Sequence, residues 1–166
     1  PTLVFAAAYS YAKRYTWLCH FVLGAVIGLA PLAGWLSVDT HYSMTALLLS
    51  LGVFFWISGF DILYACQDLD FDRENGLYSL PVRFGLSGAM QLSAFCHVNT
   101  VIFLFLAGLE RDLALGWHGA LGVAAGILWL EHSLVGPKRL ERLKLAFALN
   151  GPVSLLLFFG AWLGVM

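Results

Sequence analysis

Five of the ten acidic side chains of this 166-residue chain stand in residues 61–74, within the stretch DILYACQDLDFDRENG, and the segment before them is almost free of charge. A helix turns by about 100° per residue, so Asp61, Asp68 and Asp72 fall within about 40° of one another and share a face. Tyr64 and Ala65 flank that face, Asp70 points to the opposite side, and Glu74 falls well away from it. Carboxylates four residues apart repel one another. A divalent cation reverses the cost: oxygen ligands suit Mg²⁺, which keeps several waters and bridges one or two protein carboxylates to substrate phosphates. Two other readings stay open at this point, a solvated helix end with Arg73 salt-bridged in the turn and a path for ions or protons. The position beside an apolar segment favours function, because charge near a membrane interior is costly unless it is paired or used.

A basic partner for such a site stands earlier in the chain, in YSYAKRYT (9–16). Tyr9 and Lys13 are four apart and approach one face if the preceding helix continues to this point. There Lys13 can neutralise phosphate while Tyr9 donates a hydrogen bond. Lys and Arg at such a helix end also serve as membrane anchors.

The elements that must position these groups are membrane helices. The chain is 60% hydrophobic, only 11% charged, and its mean hydropathy is +0.82, whereas soluble domains carry charge on about a quarter of their residues. Windows at 17–36, 43–60, 86–109, 113–130 and 145–166 each read as long enough to cross a hydrocarbon core of about 30 Å, and the apolar residues 2–12 read as the last turns of one more helix. The expectation is an all-α polytopic membrane bundle of five full spans plus the end of a sixth. Eight of the nine Lys and Arg side chains fall on one side of these spans. The positive-inside rule makes that side cytoplasmic, the acidic stretch with it, and leaves the C-terminus outside. Cys19, Cys66 and Cys96 lack metal-ligand spacing, and Cys19 and Cys96 read as small packing residues rather than a disulfide.

YSYAKR, then LGAVIGLAPLAGW, then DILYACQDLDFDRENGLYSLPVRFG form an ordered combination that resembles the UbiA superfamily of intramembrane aromatic prenyltransferases, nearest to its bacterial 4-hydroxybenzoate polyprenyltransferase-like group. The resemblance runs through essentially all of 1–166. It implies nine transmembrane helices in the intact protein around a lipid-accessible cavity, with 1–166 as the C-terminal portion of a single domain and the missing N-terminal helices as its partner. By resemblance, Asp68 and Asp72 match the second aspartate-rich motif, Asp61 the acidic residue before it, and Tyr9 with Lys13 the YxxxK element. The implied metal is Mg²⁺, held by Asp61, Asp68 and Asp72. The implied reaction transfers a polyprenyl group from polyprenyl diphosphate to an aromatic carboxylate such as 4-hydroxybenzoate, in ubiquinone or menaquinone formation, at the cytoplasmic side of a bacterial inner membrane. Asp68, Asp72 and Lys13 would carry the chemistry, with Tyr9, Lys13, Tyr64, Arg73 and Arg83 binding substrate; Arg73 is also close enough to pair with an aspartate. Lipid surrounds the bundle, and no nucleic acid is expected as a partner. This fragment alone is not expected to turn over substrate, since the first aspartate-rich motif would precede Pro1.

The remaining signals are softer. Asn75-Gly76 marks a turn and Pro81 limits the following helix; Ser79 reads as a helix cap or a loop hydrogen-bonding residue. His132 reads as an interface residue, Asn150 as an interhelical hydrogen-bonding kink, and the Gly24 to Gly28 pair as a close helix contact. An ion-coupled transporter or channel is the alternative from another class, and a structural membrane subunit is a third.

Overall fold

The computed structural model describes residues 11–165, all of them helical or in connections between helices. Helices α1 (Cys19–Gly28) and α2 (Ala30–Leu36) are two pieces of one apolar segment offset at Leu29. Pro31 sits in the first turn of α2, where its missing N–H costs nothing. Helix α3 (Met44–Ala65) begins at Ser43, whose hydroxyl accepts from the Ala46 N–H at 3.1 Å and satisfies one of the orphan donors of the first turn. A 3₁₀ turn, Cys66–Asp68, then breaks the α-geometry before the short α4 (Leu69–Glu74). This overturns the continuous helix expected through the acidic stretch.

The Asn75-Gly76 turn signal is met by a left-handed glycine cap. Gly76 has φ 64°, the Leu77 N–H donates to the Asp72 carbonyl at 2.8 Å and the Gly76 N–H to that of Arg73, which closes the last turn of α4. Helix α5 (Leu80–Glu110) follows, with Pro81 in its first turn and a kink at Gly85, where φ 70° and ψ 172° suit a residue without a Cβ. Helix α6 (Leu115–Leu134), a 3₁₀ turn at Leu140–Arg142 and α7 (Leu143–Val165) complete the bundle.

Among the described residues, four segments are long and apolar enough to cross a membrane: Cys19–Leu36, Met44–Glu74, Leu80–Glu110 and Leu140–Val165. The five expected spans are thus four. The 113–130 window does fold as the helix α6, of 20 residues, but its four glycines together with Trp117, His118, Glu131 and His132 dilute its hydropathy.

Lipid tails are as apolar as leucine, so helices in a membrane associate through close packing of small residues and through interhelical hydrogen bonds. Both are present. A Cβ added to Gly28 would lie 2.9 Å from the Cβ of Phe54, and one added to Gly59 would lie 2.6 Å from the His97 ring, so α1 and α5 each press directly against α3. Ser93 adds a hydrogen bond of 2.6 Å to the Gly59 carbonyl. A polar chain links four helices: the Trp56 indole donates to Asn150 at 2.7 Å, Asn150 donates to Glu131 at 3.1 Å, and His132 meets His97 at 2.9 Å. Asn150 and His132 therefore join helices, as their positions in apolar segments required. The three cysteines are buried and free.

One end of the bundle gathers the start of α1, the end of α3, the start of α5 and the α6–α7 connection over a cluster of Ile62, Leu63, Cys66, Leu80, Val135 and Leu143. The Ala114 N–H bonds the Gly164 carbonyl at 2.9 Å at the far end, where Trp117 packs against Leu104 and Leu121. The acidic stretch sits on the first of these ends.

Candidate functional site

Lys13 follows the helical residues Tyr11 and Ala12 and is held from two sides. Its carbonyl accepts from the Tyr78 N–H at 2.7 Å, and its ammonium lies 2.8 Å from Asp72 Oδ1. Asp72 is wholly buried (0% exposed), while the lysine side chain is 29% exposed. The 3₁₀ turn places Asp72 there, because it rotates α4 out of register with α3. The expected three-carboxylate face is accordingly split.

Asp61 and Asp68 remain together. They line a cavity of about 200 Å³ with Lys13, Cys19, His20, Tyr64 and Ala65. Asp61, near the end of α3, receives a hydrogen bond at 2.7 Å from Nδ1 of His20, a ring only 2% exposed in the first turn of α1. His20 was not among the expected site residues. The signal that could have found it is a polar ring inside an apolar span, which needs partners for both of its nitrogens.

A second, wider cleft of about 600 Å³ also borders Lys13, lined by Arg14, Phe71, Asn75, Gly76 and Leu77 as well. Among the described residues no carboxylate lines it, so it is the poorer place for a cation. Arg83 stacks over the Trp17 ring, 5.1 Å from its centroid, and lies 5.5 Å from that of Phe84; this guanidinium is exposed but aromatic-bound. Arg73 is exposed on α4, as is Asp70. Tyr64 contributes to the cavity wall and packs against Phe147 of α7 at 5.7 Å. Ser79 stands at the N-cap of α5, but its buried hydroxyl makes no cap bond. Tyr9 lies outside the described residues.

An apolar bundle that brings a lysine and two carboxylates to one small cavity at one of its ends is suited to a phosphorylated lipid, and comparison with known proteins decides the lineage. Residues 1–163 match the UbiA prenyltransferase family. The chain belongs to that family. It is 31% identical over 169 aligned residues to the 4-hydroxybenzoate octaprenyltransferase of Photobacterium profundum, covering 99% of this chain and 57% of that protein. The Escherichia fergusonii 4-hydroxybenzoate octaprenyltransferase is 28% identical over 158 residues, 95% of this chain and 54% of that protein. The chain thus spans little more than half the length of these curated relatives. An apo structure of a UbiA homolog from Aeropyrum pernix K1 superposes with a TM-score of 0.85 at 28% identity, over 99% of this chain and 62% of that one. The bundle is therefore UbiA-like in fold.

The UbiA lineage implies a magnesium ion, and the donor chemistry bears on it directly. Among the described residues no group of three or more His, Cys, Asp or Glu side chains converges on a metal position. Two carboxylates at one cavity do fit Mg²⁺, which commonly takes one or two from the protein and completes its shell with water and phosphate oxygens.

Proposed function

We propose that residues 1–166 form the C-terminal part of a Mg²⁺-dependent aromatic prenyltransferase that moves a polyprenyl group from polyprenyl diphosphate to an aromatic acceptor such as 4-hydroxybenzoate, in quinone biosynthesis at the cytoplasmic face of a bacterial inner membrane. The observation that carries this reading is the shared cavity of Lys13, Asp61, Asp68 and Tyr64 at the end of an apolar bundle. The names of the Photobacterium and Escherichia relatives support the acceptor and the octaprenyl type of donor.

In this reading Asp68 and Asp61 hold the cation. When bound, Mg²⁺ would neutralise charge on the diphosphate oxygens. Lys13 lies between Asp72 and the cavity, so its ammonium adds a fixed positive charge where the leaving diphosphate becomes more negative. Asp72 orients that lysine rather than meeting the cation. Tyr64 lines the same space, and Arg83, on its aromatic platform, is the proposed contact for an acceptor carboxylate. Arg73 and, upstream, Tyr9 complete the proposed substrate contacts. The apolar helices around the cavity would keep bulk water from an electron-poor allylic carbon until the aromatic ring reacts.

The test is a panel of phenolic acids incubated with polyprenyl diphosphate, Mg²⁺ and the protein carrying its upstream helices, with products identified by mass. Prenylated 4-hydroxybenzoate supports the reading; no prenylated product from any acceptor, with ion flux in proteoliposomes, would replace it with the transporter alternative.

A further inference from the structure

We propose that His20 is a positioning residue: it sets the orientation of the Asp61 carboxylate at the cavity shared with Lys13, Tyr64 and Asp68, and so governs how tightly that cavity takes a divalent cation with diphosphate. This rests on the diphosphate reading given above.

The chemistry starts from the ring's two nitrogens. Leu80 is the first residue of α5, and its N–H is one of the helix-start donors without an intrahelical partner. The adjacent Ser79 hydroxyl does not cap it. Instead the Leu80 N–H points at His20 Nε2, 3.4 Å away across 60 residues of sequence. A nitrogen that accepts a hydrogen bond carries no proton, so whenever the ring is neutral this contact places its proton on Nδ1. That proton is donated to Asp61 Oδ2 at 2.7 Å.

Two consequences follow for Asp61. The bond engages one oxygen and stops the carboxyl from rotating freely, which leaves the other oxygen's direction defined. His20 is only 2% exposed while Asp61 is 20% exposed, so the ring anchors the carboxylate from its buried side and leaves it facing the cavity. Hydrogen-bond partners of metal ligands act in this way, and their loss commonly weakens metal binding by about 10- to 100-fold. The same ring ties Asp61 to the segment that holds Lys13. Tyr78, two residues before Leu80, bonds the Lys13 carbonyl at 2.7 Å, and the Cys19 thiol beside His20 reaches the Tyr78 carbonyl at 3.6 Å. One buried imidazole therefore joins α1, the end of α3 and the start of α5.

The experiment titrates Mn²⁺ by electron paramagnetic resonance against the detergent-purified protein with its upstream helices, in the presence of inorganic diphosphate. His20→Leu is expected to weaken Mn²⁺ binding by about tenfold or more, and His20→Asn, whose amide can reach the Nδ1 position, by much less. The double variant His20→Leu with Asp61→Asn is expected to bind no more weakly than Asp61→Asn alone, because both changes remove one contact. Unchanged Mn²⁺ affinity in folded His20→Leu, or fully additive losses in the double variant, overturns the proposal. Wild-type protein that binds no Mn²⁺ would instead sink the diphosphate reading. The ring then decides the His20 pairing independently: ¹⁵N NMR of the wild-type histidines must show the Nδ1–H tautomer at His20, also the arbiter if His20→Leu does not fold, and an Nε2–H tautomer there overturns the pairing.

Discussion

Replacing Lys13 by Met keeps the apolar stem and removes the charge that faces Asp72. The carboxylate is 0% exposed and 2.8 Å from the ammonium, and both of its oxygens lack any other hydrogen-bond partner among the described residues. Removing one partner of a fully buried pair costs about 3–5 kcal/mol. Lys13 is 29% exposed, so water already screens the pair and about 2–3 kcal/mol is the appropriate figure. At about 2–4 °C per kcal/mol for a chain of this size, Lys13→Met should lower the thermal midpoint by about 4–12 °C. Asp72→Asn leaves a half-exposed lysine with a neutral acceptor and should cost only about 1 kcal/mol. The double variant no longer buries an unpaired carboxylate, so its loss should fall clearly below the sum of the two. Thermal unfolding in one detergent, measured for all four proteins, reads this out. If Lys13→Met leaves the midpoint unchanged, or if the two losses simply add, Asp72 is not held by Lys13 and the division of the aspartates described above is wrong.

Three further outcomes are expected. In the protein with its upstream helices, Asp68→Asn should lower Mg²⁺-dependent prenyl transfer by about a hundredfold, equivalent to about 2.7 kcal/mol, whereas Asp70→Asn, exposed on α4, should stay within about twofold; initial rates with membrane insertion checked decide this. Asn150→Leu strips the Trp56 indole of its acceptor and Glu131 of a donor, and should destabilise the bundle by about 1–3 kcal/mol in thermal unfolding. Gly59→Ala forces a Cβ against His97 and should cost about 1–3 kcal/mol, while Gly119→Ala, with open space around the new Cβ, should be near neutral in the same assay.

The parts of the structure legible in the sequence are those set by local composition. Uncharged windows located the apolar helices, Asn75-Gly76 located the glycine cap, and Asn150 in an apolar segment demanded the partners it has in Trp56 and Glu131. The Gly24 and Gly28 pair read as a close contact and lies against Phe54. What composition does not encode is geometry across elements. A single 3₁₀ turn at Cys66–Asp68, invisible to a 100° periodicity, moved Asp72 from the shared face to Lys13. The link between His20 and Asp61 spans 41 residues, and α6 fell short as a span because its glycines and its polar residues Glu131 and His132, which bond across helices, lower its hydropathy.

The most direct test of the central claim is a structure of the protein with its upstream helices, bound to a polyprenyl thiolodiphosphate and Mn²⁺. The account predicts an anomalous metal peak in contact with the carboxylates of Asp68 and Asp61, and diphosphate density beside Lys13. A metal and diphosphate bound at the opposite end, near the 37–42 connection, or held without Asp68, would contradict it.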